Sequence, residues 1–585
     1  MQPKTKKAIT ASLASPIGGW NARDSLANMN PLDAVQLINF FPTPTDVTLR
    51  QGFTKYSQGL VGAVNSVMSY DGSTTETLFA AANDKIFRCD SPTAVSVFTG
   101  LLNSKLQHVN CSTIGGQFLS AVNGENQALL YDGTRWFTLA ATETPVVIST
   151  ITRLATLATA TTATPHSLQS GNRVIITGCT PADYNGTYVI TVTGSTTFTY
   201  QLAVTPASNA TVVGTYTVLG ITGADSSTFV AVNLFKNRLY YTVKDSLKVY
   251  YLGVNAIAGA ASELDFGGIA RNGGFIQAMG TWTIDAGQGV DDYAVFVTSM
   301  GEVIVYNGTD PSDATTWALK GVWQLGQTFN RRCFFKWGGD LLLLTQDGLV
   351  PLAAALQSSR VDPRINLTDK IFYAVSQAAT QFYDIFGWQI NYYASQNMLI
   401  LNIPTDVGKE QYVMHTITKS WAKFTGINSY CYEVHGKEGM YFGSDGYVGK
   451  FWDGFSDAGS NIAATAQQAY SYFGMLGQLK RFTLVRPILQ TYNGVPTVLC
   501  GLSVDYDTQP QINQISFNPN IINIGKWDVS LWDEANWGGG LVVTKLWQGV
   551  TAIGFSGSVN MNVVSSGIEF HWVSTDYVME AGGVL

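Results

Sequence analysis

The chain has 585 residues, of which 46% are hydrophobic and only 13% are charged, and its formal net charge is −7. This length allows two to four domains with separate cores, and the acidic balance argues against tight nucleic-acid binding, which needs a basic face. The charged fraction is about half of that in typical soluble domains, so we expect either a surface covered by other subunits or the polar, uncharged surface of a secreted protein.

Residues 1–54 are predicted to form an exposed arm that docks onto a partner. Lys4, Lys6 and Lys7 precede a short apolar stretch, Ala8–Ala14, which polar residues interrupt. Because the stretch is interrupted and runs directly into Pro16-Ile17-Gly18-Gly19, we interpret it as part of the arm and not as a cleaved leader. No uncharged window of about 18 apolar residues occurs in the chain, and no membrane-spanning helix is predicted.

One short helix is predicted within the arm, over Asn30–Phe41. Asn30 suits the N-cap, Pro31 suits the first helical position and Asp33 suits the positive end of the helix dipole. Two prolines, at 42 and 44, then end the helix. A strand over Val47–Tyr56 is predicted to follow.

Seven segments share one pattern, which is an apolar run, a tight polar turn and a second apolar run. Turn pairs such as Asn123-Gly124 and Asp347-Gly348 favour the positive φ angles of a hairpin. Successive segments start 39 to 58 residues apart except for one gap of 121, and removing the 76 residues of Val146–Ile221 reduces that gap to 45. A hairpin repeat of about 40–50 residues is typical of a β-propeller. The segments are Leu78–Cys89, Gln117–Gly133, Arg238–Leu252, Tyr293–Gly308, Asp340–Leu352, Met398–Trp421 and Gly439–Gly454.

The predicted fold class is therefore all-β. Residues 55–142 and 223–458 are assigned to the propeller, and residues 143–222 to an inserted small β-sandwich or barrel. Residues 459–585 lack the repeat and are predicted to form an additional C-terminal β domain. The strands predicted in the insert are Arg173–Thr177, Gly186–Val192 and Thr197–Leu202, and those in the C-terminal domain are Phe482–Leu489, Thr497–Tyr506 and Ile568–Val573.

Two segments depart from the strand pattern. Asp369–Gln381 has apolar residues at helical spacing and is predicted to form a helix or a pair of turns between blades. Trp527, Trp532 and Trp537 lie five residues apart. A packed core or subunit interface accounts for these three tryptophans better than a carbohydrate platform does.

No catalytic, cofactor-binding or metal-binding residue is predicted. The histidines lack metal-ligand spacing, and no nucleophile elbow, zinc-protease motif or P-loop occurs. A propeller glycosidase needs only two carboxylates, but the candidate aspartates lie in turns, where their side chains bond the local backbone. The histidines are His108, His166, His415, His435 and His571, and the candidate carboxylates are Asp291 with Asp292, Asp310 with Asp313, and Asp445 with Asp453. Asp505 and Asp507 are two apart, as in a calcium loop, but the glycine and the terminal glutamate of such a loop are missing.

The cysteines, aromatic residues and basic pairs are given structural roles. No two of the six cysteines lie closer than 22 residues, so we predict buried free thiols in a protein made in a reducing cytoplasm. The basic pairs Arg331-Arg332 and Lys480-Arg481 are predicted to be solvated or to anchor an acidic partner. The aromatic residues predicted to fill blades are Tyr131, Trp136, Tyr306, Trp317, Trp421 and Trp452.

The flanks of the repeat carry a more specific signal. The opening segments are Gly18–Leu26 (GGWNARDSL), Met29–Val35 (MNPLDAV), Asn39–Pro42 (NFFP) and Leu49–Phe53 (LRQGF), and the closing segment is Ser574–Val578 (STDYV). Together they resemble the nozzle or tail tubular proteins of short-tailed bacteriophages, which lie below the portal and adaptor. The insert, at His166–Val174 and Tyr184–Tyr188, resembles a small β-module that recurs in phage virion proteins. The propeller between them matches by architecture only.

This resemblance implies a structural virion protein and no enzyme. It implies a ring, generally a hexamer, that docks under the adaptor, extends the channel for double-stranded DNA, carries tail fibres or spikes, meets the host envelope and gates genome ejection. The expected location is the virion tail, assembled in the host bacterial cytoplasm, with acidic or neutral loops facing the channel. The alternative is a propeller-based receptor-recognition protein that binds or degrades carbohydrate.

Overall fold

The computed structural model describes residues 8–584, with gaps at 74, 114–115, 141–144, 167, 169–171, 286–289, 357–362, 438, 493, 495, 508–510 and 515–540. The described residues fall into two compact units. Unit 1 comprises those up to Gln58 and from Leu342 onward, and unit 2 is Gly59–Leu341. Strands make up 58% of the structure and helical residues 6%, which confirms the predicted all-β class. The tryptophans at 527, 532 and 537 lie outside the described residues.

The elements are numbered in chain order. The first are β1 (Ala8–Ala14), β2 (Gly19–Trp20), β3 (Asp33–Ile38), β4 (Phe40–Pro42), β5 (Val47–Leu49), β6 (Phe53–Asp71), β7 (Glu76–Ala82), β8 (Lys85–Arg88), β9 (Val95–Thr99), β10 (Gln107–Thr113), β11 (Gly116–Val122), β12 (Leu129–Tyr131), β13 (Trp136–Thr138), β14 (Val146–Leu154), β15 (Leu157–Thr162), β16 (Arg173–Thr180), β17 (Gly186–Gly194), β18 (Thr197–Gln201) and β19 (Val212–Val218). Then come β20 (Ile221–Thr222), β21 (Phe229–Phe235), β22 (Arg238–Val243), β23 (Lys248–Tyr251), β24 (Gly259–Ala260), β25 (Ser262–Asp265), β26 (Ile276–Asp285), β27 (Val290–Thr298), β28 (Glu302–Gly308), β29 (Trp317–Gln324) and β30 (Phe334–Trp337). The remainder are β31 (Asp340–Thr345), β32 (Gly348–Pro351), α1 (Leu352–Ala355), α2 (Phe372–Phe382), β33 (Gln389–Tyr393), β34 (Met398–Pro404), β35 (Lys409–His415), β36 (Ser420–Phe424), β37 (Cys431–His435), β38 (Gly439–Gly443), β39 (Asp445–Phe451), β40 (Ile462–Gln468), β41 (Gln478–Tyr492), β42 (Thr497–Val504), β43 (Gln511–Gln514), β44 (Leu541–Thr544), β45 (Gln548–Gly554), β46 (Gly557–Ser565) and β47 (Glu569–Val584).

Unit 2 contains a propeller-like arrangement of four blades, each made of four antiparallel strands. Blade A is β6–β9, blade B is β10–β13, blade C is β21, β22, β23 and β25, and blade D is β26–β29. The first four predicted hairpins are the middle strand pairs of these blades. The other three correspond to β31–β32, β34–β35 and β38–β39. The hairpins and the β-propeller class are therefore confirmed, while the predicted hairpins at β34–β35 and β38–β39 lie in unit 1 and are not among the four blades.

Aromatic side chains fill the blades. The rings of Phe79 and Tyr131 lie 4.7 Å apart in the core shared by blades A and B, and Trp136 is buried beside them. In the core of blades C and D, the rings of Tyr306 and Trp317 stack at 5.1 Å. These residues are buried as predicted, and such pairs stabilise a core beyond their buried area.

The segment after blade D returns to blades A and B. Arg332 donates from Nη2 to the Asn65 carbonyl (3.1 Å), the Ser66 hydroxyl (3.0 Å) and the Leu106 carbonyl (3.1 Å). Asn65 and Ser66 lie in β6, and Leu106 directly precedes β10, so this one guanidinium joins two blades. The prediction of a solvated or partner-anchoring role was wrong for Arg332, because the basic pair occupies the place where the blades meet.

The insert forms a closed barrel with the strand order β14-β15-β18-β17-β16-β19. Its core is a separate hydrophobic cluster that includes Ile176, Tyr184 and Tyr216. The predicted insert is therefore confirmed as a barrel. Its entering and leaving segments run side by side, since Ala140 forms a β-bridge with Ile221.

The opening and closing segments of the chain share the sheets of unit 1. β1 pairs with β47, while β3 lies between β36 and β40 in the largest sheet. Phe40 and Val47 are fully buried. The described part of the predicted arm is therefore built into the core of unit 1, and the strands of residues 459–585 pair with it.

The helix predicted over Asn30–Phe41 was wrong. Asn30 does accept a hydrogen bond from the Leu32 amide at 3.0 Å, but it closes a turn that leads into strand β3. Asn39 then adopts φ 58°, and its amide donates to the Ala463 carbonyl (2.7 Å) and accepts from the Arg50 Nε (2.9 Å). Pairing on both sides of β3 outweighs the local helical signals.

The helix predicted over Asp369–Gln381 is confirmed as a 3₁₀ turn, Asp369–Ile371, followed by α2. The buried side of α2 is formed by Val375, Ala378 and Ala379. Among the described residues, no helix has the length and hydropathy needed to cross a membrane.

Candidate functional site

The opening motif GGWNARD clasps the start of helix α2 within unit 1. The Ala22 amide donates to the Lys370 carbonyl at 3.0 Å. The Lys370 ammonium in turn donates to the Gly18 carbonyl and to Asp33, both at 2.7 Å. Arg23 forms an ion pair with Asp369. We name Gly18–Asp24 with Asp33, Asp369 and Lys370 the clasp.

Asn21 is the centre of the clasp and is almost completely buried. Its amide group donates to Asp24 and to Asp33, each at 2.9 Å. Its carbonyl oxygen accepts from the amides of Arg23 and Asp24, each at 3.0 Å. Hydrogen bonding from Arg23 lowers the pKa of Asp24, so this carboxylate stays ionised. Each donor and acceptor position of Asn21 is thus matched to the backbone and side chains around it.

The two glycines of the motif permit close backbone contact. Gly19 has φ +79°, and a Cβ there would lie 2.6 Å from the Trp421 carbonyl oxygen and 2.7 Å from its nitrogen. At Gly18 a Cβ would lie 2.9 Å from the Leu32 carbonyl oxygen. A side chain would overlap the neighbouring backbone at both positions, so glycine is the residue that fits them. The close approach of this backbone to the sheet places Trp20 against it.

Beside the clasp lies a groove of about 390 Å³ between α2 and strands β34–β36. One wall is the face of α2 that carries Gln377 and Gln381, and the other includes Ile403 and Tyr412. Trp20 closes one side, and its ring meets that of Tyr412 edge to face at 5.1 Å.

The groove also contains one ion pair, because Glu410 accepts from the Lys423 ammonium at 2.7 Å. Both side chains are about one quarter exposed. A second cavity of about 480 Å³ adjoins the groove at the β34–β35 turn and shares Thr405 and Glu410 with it. The site thus combines aromatic rings, amides and one balanced pair of charges, the chemistry typical of small-molecule recognition.

The predicted carboxylate pairs are held in turns and ion pairs. Asp310 accepts from the backbone and hydroxyl of Ser312, and these bonds lower its pKa. Asp313 is held in the same way by Thr315. Asp292 is paired with Lys236. The side chain of Asp291 lies outside the described residues.

Asp445, Asp453 and Asp505 are held by groups from other parts of the chain. Asp445 accepts from the Tyr430 hydroxyl at 3.0 Å, and Asp453 accepts from the Thr54 hydroxyl at 2.6 Å. Asp505 accepts from two successive amides, those of Phe555 (2.8 Å) and Ser556 (2.9 Å). These partners lie 15, 399 and 50 positions away in the chain, so hydrogen bonds between distant segments hold these three aspartates, whereas local turn bonds were predicted for Asp445 and Asp453.

His571 is placed between two carboxylates. It lies between Asp46 (2.8 Å) and Glu569 (3.0 Å), and its hydrogen bond to Asp46 raises its pKa. Burial lowers the pKa of His415. Among the described residues, no group of three or more histidine, cysteine or acidic side chains is arranged to hold a metal ion.

The predicted burial of the cysteines is confirmed, because all six thiols are free and buried. Burial raises the pKa of Cys111 to about 11 and those of Cys333 and Cys500 to about 12. Lys480, predicted to be solvated, is fully buried and donates to three carbonyls, those of Met475, Gln478 and Phe555. The lysines at 4, 6 and 7 lie outside the described residues.

Comparisons with known proteins give fold likeness alone. No protein-family model matches the chain, and no curated protein matches it. Similar solved structures include the extracellular domain of a protein described as a hybrid two component system from B. thetaiotaomicron (12% identity, TM-score 0.28, 74% of this chain and 43% of that chain). Others are Chaetomium thermophilum Sqt1 (10%, 0.32, 69% and 97%) and the β-propeller domain of Cps50 (Swd1) from Myceliophteria thermophila (9%, 0.27, 68% and 99%). This chain spans less than half the length of the first of these. TM-scores this low carry no argument about function.

Sequence reasoning did not identify the groove. Its available signal was the pair Gln377 and Gln381, which lie one turn apart on a helix whose opposite positions are apolar. The sequence could not show that this helix face lies beside Trp20. That placement depends on the hydrogen bond between residues 22 and 370, which are more than 300 positions apart in the chain.

Proposed function

We propose that the chain is a structural subunit of the ring-shaped tail nozzle of a short-tailed bacteriophage. In this role it extends the DNA channel below the portal and adaptor, anchors fibres or spikes and gates genome ejection. It acts through assembly and has no catalytic step of its own.

One observation carries the proposal. The closing STDYV segment, which resembles tail proteins, pairs with β1 in the register Ser12 with Asp576 and Ala14 with Ser574. The GGWNARD clasp follows β1 after three residues, and the NFFP strand β4 reaches β47 through β5, which pairs with His571 and Trp572. The resembling segments from the two ends of the chain therefore meet in one sheet of unit 1, which supports the proposal that they act as one part.

The surface of unit 2 offers a contact for a second copy of this chain. β9 is the edge strand of blade A, and Val95 and Val97 on its outer side are 57% and 39% exposed. Exposed apolar residues on an edge strand favour pairing with another chain. A ring of identical subunits places such an edge against a different surface of the next copy.

The test is the mass and shape of the purified full chain. The proposal expects a hexamer by light scattering and a ring with a central channel in electron micrographs. Replacing Val95 and Val97 by lysine is expected to shift the mass towards the monomer, whereas Val407→Lys, at a fully exposed turn position, leaves the ring intact.

Two results would overturn the proposal. One is a chain that stays monomeric or trimeric at every concentration tested, which would favour a receptor-recognition module. The other is a reconstruction of the virion that places this chain away from the DNA path.

A further inference from the structure

The groove beside α2 contains polar groups that have no protein partner. In the described part of the chain, the Trp20 indole N–H and the amides of Gln377 and Gln381 form no hydrogen bond to another residue. Both glutamines are exposed, and Trp20 is half-buried. These donors and acceptors are therefore available to a ligand in the groove.

Small residues keep the groove open. Ala374 and Ala378 lie on the same face of α2 as the two glutamines and line the cavity. Ile403 and Tyr412 form the opposite wall and are buried, with Tyr412 5% exposed. The result is an apolar and aromatic lining with amides along its rim.

The charge in the groove is balanced. Glu410 and Lys423 neutralise each other at 2.7 Å. An anionic ligand would have to displace Glu410 from Lys423, and a cationic ligand would have to displace Lys423 from Glu410. A neutral ligand can instead use the remaining lone pairs of the carboxylate and the remaining hydrogens of the ammonium without breaking the pair.

A sugar ring has the matching chemistry. One face of a pyranose carries C–H groups that pack on an aromatic ring, while its hydroxyls both donate and accept, as amide groups do. The volume of about 390 Å³ falls at the lower end of the range of about 300–1,000 Å³ found for small-molecule sites. We propose that this groove binds a neutral saccharide of one or two rings, with Trp20 and Tyr412 against the ring and Gln377, Gln381 and Glu410 on its hydroxyls.

The adjoining cavity extends the same site. It shares Thr405 and Glu410 with the groove and continues past Lys409 to Asn428. Lys409 is held by the Thr405 carbonyl at 2.9 Å, and its ammonium lies 5.2 Å from the centre of the Tyr430 ring. A second or third sugar ring would occupy this cavity, so oligosaccharides are expected to bind more tightly than monosaccharides.

This inference goes beyond the proposed nozzle role and is independent of it, because binding is measured on the chain whatever its oligomeric state. The full chain is titrated with glucose, N-acetylglucosamine, cellobiose and chitobiose by calorimetry and by saturation-transfer NMR. Sorbitol is the control for hydroxyls without a ring, and glucuronic acid is the control for charge. We expect dissociation constants on the order of 1 mM for at least one neutral sugar, with its dimer bound more tightly.

The variants locate the site. Gln377→Ala with Gln381→Ala, at exposed positions that do not affect folding, is expected to weaken binding at least about fivefold, since hydrogen bonds of this kind contribute about 1 kcal/mol. Ala374→Phe fills the groove and is expected to abolish binding, with an unchanged melting temperature as its check. Tyr383→Ala removes a 57% exposed aromatic ring next to the groove and is the matched control with unchanged binding.

Several outcomes would overturn the inference. They are no binding of any neutral sugar in the panel, tighter binding of glucuronic acid than of glucose, equal binding of sorbitol, or binding that survives both groove variants.

Discussion

Arg50 and Asp457 form a bidentate ion pair inside unit 1. Arg50 Nη1 donates to Asp457 Oδ1 at 2.8 Å, and Nη2 donates to Oδ2 at 2.6 Å. Arg50 is fully buried, and its other N–H groups reach Asn39, the Gln51 carbonyl and the Thr425 carbonyl. Because all five donors of the guanidinium are used, this one side chain connects the LRQGF segment to three other parts of the unit, at Asn39, Thr425 and Asp457.

Arg50→Ala should therefore be strongly destabilising. Removing one partner of a buried ion pair leaves an uncompensated charge and costs about 3–5 kcal/mol. The free energy of unfolding of unit 1, followed by urea denaturation, measures this loss. Arg481→Ala is the control, because its side chain is 60% exposed with a 3.9 Å ion pair, and its expected cost is within about 0.5 kcal/mol. Equal effects of the two variants would contradict the role given to Arg50.

Gly19→Ala should disrupt the clasp. The new Cβ would lie 2.6 Å from a backbone oxygen at a positive φ, so strain and overlap add to a cost above about 2 kcal/mol. Gly474 also has positive φ, +71°, but nothing lies within 4 Å of a Cβ there. Gly474→Ala should cost only the conformational strain, about 1–2 kcal/mol. A smaller melting-temperature drop for Gly19→Ala than for Gly474→Ala would argue against a tight clasp.

Stability should depend on pH through His571. Its hydrogen bond to Asp46 raises its pKa above that of the unfolded chain, so its contribution is fully present below the unfolded value of about 6.5 and is lost as pH rises through the folded pKa. The difference in unfolding free energy between wild type and His571→Gln is expected to be about 1.5 kcal/mol at pH 5.5, as for a hydrogen bond between charged groups, and smaller at pH 9. A difference that grows with pH would refute this assignment.

Arg332→Ala should loosen the junction of blades A and B. The variant loses three hydrogen bonds from one partly buried guanidinium, which predicts a loss of about 2–4 kcal/mol. Hydrogen exchange should increase in β6 and at the start of β10 more than in blade D. Arg88→Ala in blade A is the control, because Arg88 is 58% exposed and its ion pair is with Asp90, two residues away. Unchanged exchange in β6 would contradict the bridging role.

Local patterns in the sequence correctly predicted the elements whose signals are local. The hairpins could be predicted from turn pairs such as Asp347-Gly348 between apolar runs. Helix α2 could be predicted from apolar residues at helical spacing. The barrel followed from a gap in the repeat. These elements form contacts mostly with their own chain neighbours, so a short window contains the information.

The sequence by itself thus determined the all-β class, the repeat, the insert and the burial of the six cysteines. The tertiary structure alone decided that β3 is a strand, that Arg332 and Lys480 are enclosed, and that Trp20 faces α2. Each of these placements depends on a partner that is distant in the chain. Arg332 bonds the Leu106 carbonyl, Lys480 bonds the Phe555 carbonyl, and Lys370 at the start of α2 bonds the Gly18 carbonyl beside Trp20. Strand pairing and buried charge are satisfied by whichever groups the fold brings near, and no local pattern encodes which groups those are.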